Sequence, residues 1–468
     1  MGAAAEGLAR ATAQCDGERD IRAALEGAIP AVLATCDEQG LPNAAYLSQV
    51  FYVDERHVAL SFQFFNKTRH NILANPYANA LVMHPITSRM YRLHLRYLRT
   101  ETQGPLFESM KAQLAGIASH SGMEGVFRLL GSDVYELLEL EEVPGQTMPD
   151  RPPRTGLLGA VRRASERIAR CASLDDALAS VLASLADSMD IRHAMVLMLD
   201  AASGRLYTVA STGYPTSGVG SEVALGQGVI GVAAREATPV RIGHISSAYS
   251  YSQAIRSGMG LADAVEIPYP GLPQPHSQVA VPILCAARVL GVLFAESPQD
   301  RRFNYEDEDA LVAVAGQLGA TIELLRASDE SDSADASPAG PPAAQGAPLV
   351  LRHFAANDSV FLDDAYLIKG VAGAILWKLL RDYSVQGRIE FSNRELRLDP
   401  SLKLPDVSDN LEARLLLLHR RLAEQSPHLR IEKTGRGRFR LVVGRPVQLV
   451  DEPPHPHPLP QRGEGAIP

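Results

Sequence analysis

"GQGVIGVAAREATPVRI", Gly226 to Ile242, is the stretch on which the fold of this chain turns. Gly226-Gln227-Gly228-Val229-Ile230-Gly231 spells GxGxxG letter for letter. A dinucleotide site needs that turn inside a strand–turn–helix unit, with an acidic residue about twenty positions on. The stretch is not part of such a unit, so the motif is a decoy. Its surroundings carry more information. Upstream, "SLDDALASVLASLADSMD" predicts a helix with Ser173 as N-cap, Asp176 three residues on, and Leu178, Val181, Leu182 and Leu185 in one stripe. The strands "HAMVLMLD" and "RLYTVASTG" follow, joined by Ala201-Ala202-Ser203-Gly204. Downstream come an irregular stretch rich in Tyr, Ser, Gly and Pro, the hairpin "SQVAVPILCAARVLGVLFAES" and a closing helix, "YEDEDALVAVAGQLGATIELLR".

In that order these elements resemble the GAF family of sensory domains, over residues 156–326. The resemblance implies an α/β sandwich and turns the glycines into a tight loop leading to a helix. GAF domains bind cyclic nucleotides, tetrapyrroles or small metabolites, or only a neighbouring helix. The loop from Ser246 to Gln278 lies where a pocket lid would be. Its Tyr249, Tyr251, Tyr269 and His276 are the candidate ligand contacts, by stacking or hydrogen bonding. No cysteine in it could attach a bilin. Long loops of this kind are either functional or simply mobile.

Toward the N-terminus, residues 20–143 read as strands. "AVLATCDEQGLPNAAYLSQVFYV" is two strands around a turn at Asp37-Glu38-Gln39-Gly40, and "HVALSFQFF" alternates. It runs into Lys67-Thr68-Arg69-His70, a short helix ending at Asn75-Pro76, and the strand "ANALVMHP". In "YRLHLRYLRTETQ", Arg92, His94 and Arg96 alternate and so share one face. An ammonium and a hydroxyl at a strand–helix junction, with helix N-terminal amides, make an anion site. The alternative is a solvated loop. This segment resembles the pyridoxamine 5′-phosphate oxidase-like, FMN-binding split barrels, through "VLATCDEQGLPN", the strand before "NKTRHNILANP" and its closing Asn-Pro. The resemblance implies that Lys67 and Thr68 hold a flavin phosphate, with Arg69 adding charge and Gln63 or Phe64 near the ring system. It also implies a homodimer with flavin between subunits. Oxidases of the family carry a cofactor-gripping arginine soon after the Gly-x-Pro turn; here Asn43-Ala44-Ala45-Tyr46 stands there, which speaks against substrate oxidation.

Residues 349–449 change character, with 17 lysines and arginines against 12 carboxylates between Leu349 and Val450 in a chain of net charge −9. Short strands lead to a helix, "VAGAILWKLLRDYS", with Val371, Ile375, Leu379 and Tyr383 on one face. A second helix has Ser392 as N-cap and Glu395 three on, and a third has Asp409 and Glu412 in the same relation. A hairpin turns at Thr434-Gly435-Arg436-Gly437. The pattern resembles the winged-helix output domain of OmpR/PhoB-type response regulators. That implies a third helix in the major groove, with Arg414, Arg420 and Arg421 as contacts, and a wing whose Lys433, Arg436, Arg438 and Arg440 meet phosphates. Leu416 and Leu417 occupy positions that are usually polar, and leucine reads no base donor or acceptor. Either the helix is rotated or the domain binds a protein.

The remaining segments are connectors. Glu141 to Gly156 is a Pro/Gly-rich linker, residues 327–348 lack large apolar side chains, and the Pro-rich tail 450–468 reads as disordered, as does that second linker. With 46% hydrophobic and 21% charged residues, the whole is an ordinary globular composition, and the net charge excludes a uniformly basic coat protein. Cys15, Cys36, Cys171 and Cys285 are far apart and form no CxxC pair, which points to neither a zinc site nor a disulfide framework. No stretch resembles a signal peptide or a membrane span, so a cytoplasmic protein is expected. The expected fold is multidomain α+β: an antiparallel split β-barrel, a GAF sandwich, then a winged helix-turn-helix. Two function classes follow. One is a ligand- or redox-sensing regulator, of transcription. The other is an FMN-dependent oxidoreductase regulated by its GAF domain.

Overall fold

A computed structural model describes residues 18–25, 31–47, 50–62, 67–120, 128–149, 156–243, 267–329, 346–402, 404, 411–435 and 437–452. Asp409, Arg436, Gln63, Phe64, Tyr249 and Tyr251 lie outside these residues, as do most of the second linker and of the tail.

The first unit opens with helix α1 (Glu18–Ala24), then β1 (Ala31–Cys36), β2 (Pro42–Leu47), β3 (Val50–Asp54), β4 (His57–Phe62), α2 (Lys67–Ala74), β5 (Tyr77–Met83), β6 (Met90–Glu101), α3 (Pro105–His120) and β7 (Gly131–Val143). Seven strands form one antiparallel sheet in the order β2-β1-β5-β6-β7-β4-β3. The β1–β2 turn closes as expected: Asp37 Oδ1 accepts from the amides of Gln39 and Leu41, and Gly40 takes φ +80°. Alternation along β6 buries Tyr91, Leu93 and Leu95 and leaves Arg92 and Arg96 outside. The exposed row meets carboxylates of β7, with Arg92 Nη1 2.6 Å from Glu141 and Arg96 paired with Glu136. That face is a solvated ion-pair ladder.

The second unit contains α4 (Leu157–Ile168), α5 (Leu174–Met189), β8 (His193–Asp200), β9 (Arg205–Thr212), β10 (Glu222–Ala224), α6 (Gly228–Glu236), β11 (Val240–Ile242), β12 (Ser277–Cys285), β13 (Arg288–Ser297) and α7 (Tyr305–Asp329). Its antiparallel sheet runs β10-β9-β8-β13-β12-β11. Helices α4, α5 and α7 cover one face, and α6 covers the other. Ser173 caps α5, accepting from the Asp176 amide at 3.2 Å. Leu178, Val181 and Leu185 are fully buried beneath it, each contributing about 1.5–3 kcal/mol. The GxGxxG stretch is a loop into α6, where Gly226 and Gly228 have φ +83° and +61°. Helix α7 is long and apolar enough to cross a membrane, yet half of that window is buried, with Leu311, Val314, Leu318 and Ile322 in the core.

The third unit contains β14 (Leu349–Phe354), β15 (Ser359–Leu362), β16 (Ala365–Ile368), α8 (Gly370–Gln386), β17 (Glu390–Ser392), α9 (Asn393–Leu398), α10 (Leu411–Gln425), β18 (Leu429–Gly435), β19 (Arg438–Val443) and β20 (Val447–Glu452). Ser392 caps α9 through the Glu395 amide, as expected. Ile375 and Leu379 of α8 are buried, with Val371 and Tyr383 half-buried beside them. Strands β17-β19-β18 make one small sheet and β16-β15-β14-β20 another. The structure moves two boundaries. Residues 327–329 complete α7 instead of opening the linker. Residues 450–452 are ordered within β20, because that strand pairs in parallel with β14 and so satisfies its backbone.

The second unit sits between the other two. Helix α3 of the barrel lies along α6 and β11, with Lys111 Nζ 3.3 Å from Glu236. Gly116 permits the approach: a Cβ there would fall 2.3 Å from Val240 Cγ1. Arg22 Cζ lies 4.1 Å from the centroid of the Tyr305 ring of α7, and Arg301 donates to the Pro85 carbonyl.

Candidate functional site

The barrel corner separates its three expected phosphate contacts. Lys67 begins α2, is half exposed, and has its Nζ 3.9 Å from Asp37 Oδ2, too long for a hydrogen bond. Thr68 is buried beside it and its hydroxyl accepts from Asn43 Nδ2 at 2.9 Å. Arg69 turns the other way. Its Nη1 donates to Asp133 at 2.6 Å and its Nη2 to Thr100 Oγ1 at 2.8 Å, and Thr100 in turn donates to Asp133. The guanidinium lies over the Phe62 and Tyr97 rings, 4.7 and 5.6 Å from their centroids. Burial lifts the Asp133 carboxyl above the usual carboxylate range, against the pull of Thr100 and Arg69. Arg69 is therefore tied between α2, β6 and β7 by these partners. One ammonium, one hydroxyl and the first-turn amides of α2 remain. That donor set fits the phosphate end of an FMN.

Large apolar side chains of the surrounding elements are exposed as well. Leu41, Tyr46, Leu73 and Tyr77 are all exposed, Tyr46 to 85%. Exposed apolar groups clustered near a charged corner are what a ligand ring or a second subunit would cover.

In the GAF unit, the sheet face shared with α6 carries a polar group that sequence reading missed. Glu296 is buried at the end of β13, accepting from the Leu272 amide at 2.7 Å and from Gln278 Nε2 at 3.1 Å. Burial pushes its carboxyl up, although those donors oppose the shift. The buried Tyr214 hydroxyl is pushed up by burial and by the Glu296 charge. His193 lies with its ring centroid 5.7 Å from that of Tyr214. Of the expected contacts, Tyr269 lies near enough for its charge to act on the Tyr214 hydroxyl, whereas His276 is exposed and makes a backbone bond to Ser297. A carboxylate ending the otherwise apolar run "VLGVLFAES" was the available signal.

The third site is the seam between α10 and the GAF unit. Arg414 is buried, 3.0 Å from Asp200, with its guanidinium 4.4 Å from the Tyr207 ring centroid. Burial alone would raise the Asp200 carboxyl, but Arg414 and the Ser203 hydrogen bonds hold it below the usual range. Arg420 donates to the Val209 carbonyl at 2.5 Å and pairs with Asp175. Arg421 turns inward to the Leu367 carbonyl at 3.1 Å and to Glu424. Ser217 donates to Glu424, and Lys369 lies 3.2 Å from Glu222. Leu415, Leu416 and Leu417 are buried here, the last with its Cδ1 beside Gly220. All three arginines expected on DNA are thus engaged within the chain. The leucines that looked misplaced on a nucleic-acid helix have an intramolecular partner.

The hairpin residues differ. Lys433 is half exposed, 3.5 Å from Glu412, and Arg440 is held by Glu432 at 2.9 Å. Arg438 is half-buried and joins Lys433, His419, Leu416 and Phe439 around a cavity of about 210 Å³ that reaches Leu174 and Asp175 of α5.

Comparison with known proteins supports two of the three units. A family model described as "GAF domain" matches residues 173–322, and one described as "Pyridoxamine 5′-phosphate oxidase" matches residues 18–160. No curated protein matches the chain. Among solved structures, the GAF domain of an Acinetobacter phosphoenolpyruvate-protein phosphotransferase is similar at 24% identity over 39% of this chain and 100% of its own, TM-score 0.30. The free methionine-R-sulfoxide reductase of Neisseria meningitidis is similar at 19% identity over 39% and 98%, TM-score 0.31. An FMN-binding protein of Syntrophomonas wolfei is similar at 14% identity over 31% and 96%, TM-score 0.25. Residues 18–160 are thus a pyridoxamine 5′-phosphate oxidase-like domain and residues 173–322 a GAF domain, within a mixed α/β multidomain architecture.

Proposed function

We propose that this is a cytoplasmic sensor-regulator in which the barrel holds FMN, the GAF domain takes a second small ligand, and a winged-helix C-terminal unit regulates transcription. One observation carries the reading: the GAF domain stands between the barrel and the C-terminal unit, in direct contact with a helix from each, α3 and α10. A sensor so placed can pass a change in ligand or redox state to an output. Lys67 and Thr68 would hold the flavin phosphate, and the flavin would supply redox chemistry when bound. The exposed Leu41, Tyr46, Leu73 and Tyr77 favour a homodimer closed over that corner. Helices α8, α9 and α10 followed by the hairpin β18–β19, with β17 between α8 and α9 pairing with β19, support the winged-helix assignment, with β18 and β19 as the wing.

The test is an absorption spectrum of the purified protein after gel filtration with added FMN. Flavin bands that persist in the wild type and vanish in Lys67→Ala support the flavin clamp. A wild type that emerges colourless overturns it and leaves the GAF face as the sensor.

A further inference from the structure

We infer that the acidic edge of the GAF domain is a docking surface for the chain's own α10, and that it withholds this helix from nucleic acid. The inference deepens the winged-helix reading and rests on it. Three carboxylates on the GAF edge, Asp175, Asp200 and Glu222, engage Arg420, Arg414 and Lys369 of the C-terminal unit. Those cations are of the kind that would meet phosphate oxygens on a duplex, and each carboxylate takes a place that a phosphate would take. Between the charges, Leu415, Leu416 and Leu417 are buried. A helix so covered cannot enter a groove. Docking on the GAF edge and binding nucleic acid are mutually exclusive.

The same residues say what the released unit recognises. Arg414, Arg420, Lys433 and Arg438 supply phosphate contacts, whereas Leu416 and Leu417 offer no hydrogen bond to a base edge. Its binding is steeply salt-dependent and weakly selective for sequence. Asp200 ends β8 and Tyr207 lies on β9, in the sheet whose other face carries Glu296, so GAF ligation and α10 docking share a structural element.

The full chain tests this, with GAF-side substitutions that leave α10 and the wing untouched. Asp175→Arg/Glu222→Arg reverses two charges, and Asp175→Ala/Glu222→Ala is the milder pair should the first fold poorly. Two quantities are measured: anisotropy of a random-sequence DNA duplex at low and moderate salt, and the pulsed-EPR distance between nitroxides at Asp187 and Val385, both exposed, in a background lacking the native cysteines. The expected result is a longer, broader distance and an affinity gain of about tenfold, in the range of ordinary intramolecular coupling. Wild type and variants binding DNA equally, with binding lost in Lys433→Ala/Arg438→Ala, overturns the masking but keeps the nucleic-acid output. A distance that opens while no form binds DNA overturns the nucleic-acid output itself.

Discussion

At the barrel corner and on α10 the sequence sets out basic residues in similar fashion, yet the fold treats them oppositely. Of Lys67 and Arg69, the first stays on the surface, and the second is drawn inside by Asp133, 64 residues further along the chain. On α10, Arg414 and Arg420 are taken by Asp200 and Asp175 of another domain, and Arg421 by carbonyls of its own unit. The comparison teaches that availability belongs to a residue's carboxylate neighbours and not to its type. A guanidinium paired away from water is committed. An ammonium whose carboxylate neighbour among the described residues is 3.9 Å away is still open to an anion.

The largest expected effect breaks the barrel side of that comparison. Asp133→Ala leaves the part-buried Arg69 guanidinium without its carboxylate and should cost up to about 3 kcal/mol, read as a lowered urea midpoint of the barrel. A change below about 1 kcal/mol would place Arg69 with the surface bases instead. Restoring neutrality with Arg69→Met/Asp133→Leu should recover most of the loss, because the apolar pair needs no compensation.

A smaller effect sharpens the contrast between the two faces of the GAF sheet. The Asp200 carboxyl is held below its ordinary value, so the stability it gives is present above that ordinary value and is lost as pH falls through the depressed one. The Glu296 carboxyl is raised, so ionising it costs stability as pH rises from the ordinary carboxylate value through the raised one. Thermal melts across the acid range should therefore change slope in opposite senses. Asp200→Asn flattens the loss on acidification, and Glu296→Gln flattens the loss on the alkaline side of that window. Parallel shifts in the two variants would show that neither carboxylate is coupled to folding as described.

The smallest effect belongs to the ladder on β6. Arg92→Ala removes an exposed pair with Glu141 and should shift stability by about 0–1 kcal/mol, the ordinary worth of a surface ion pair. A loss as large as that of Asp133→Ala would mean that the ladder is covered, as by a second subunit.

Much of the architecture was legible because it depends on local chemistry. The Asp37 turn, the Ser173 and Ser392 caps, and the alternation of β6 are each fixed by residues within a few positions of one another. Glu296 was harder to see. Its strand reads as continuously apolar, and only the approach of Leu272 and Gln278 makes a buried acid tenable there. The turn of α10 toward the GAF domain was not legible at all, since the four leucines fit any apolar partner.

The sequence by itself determined the caps of α5 and α9 and which face of β6 turns inward, because periodicity and capping act over a few residues. It also determined that Lys67 opens a helix beside a hydroxyl. Only the tertiary structure decided which cations remain unclaimed, because ion pairs close between residues such as Arg414 and Asp200 that chain proximity does not bring together. Electrostatic partnership in a folded protein is set by packing, and packing joins elements that no local pattern connects.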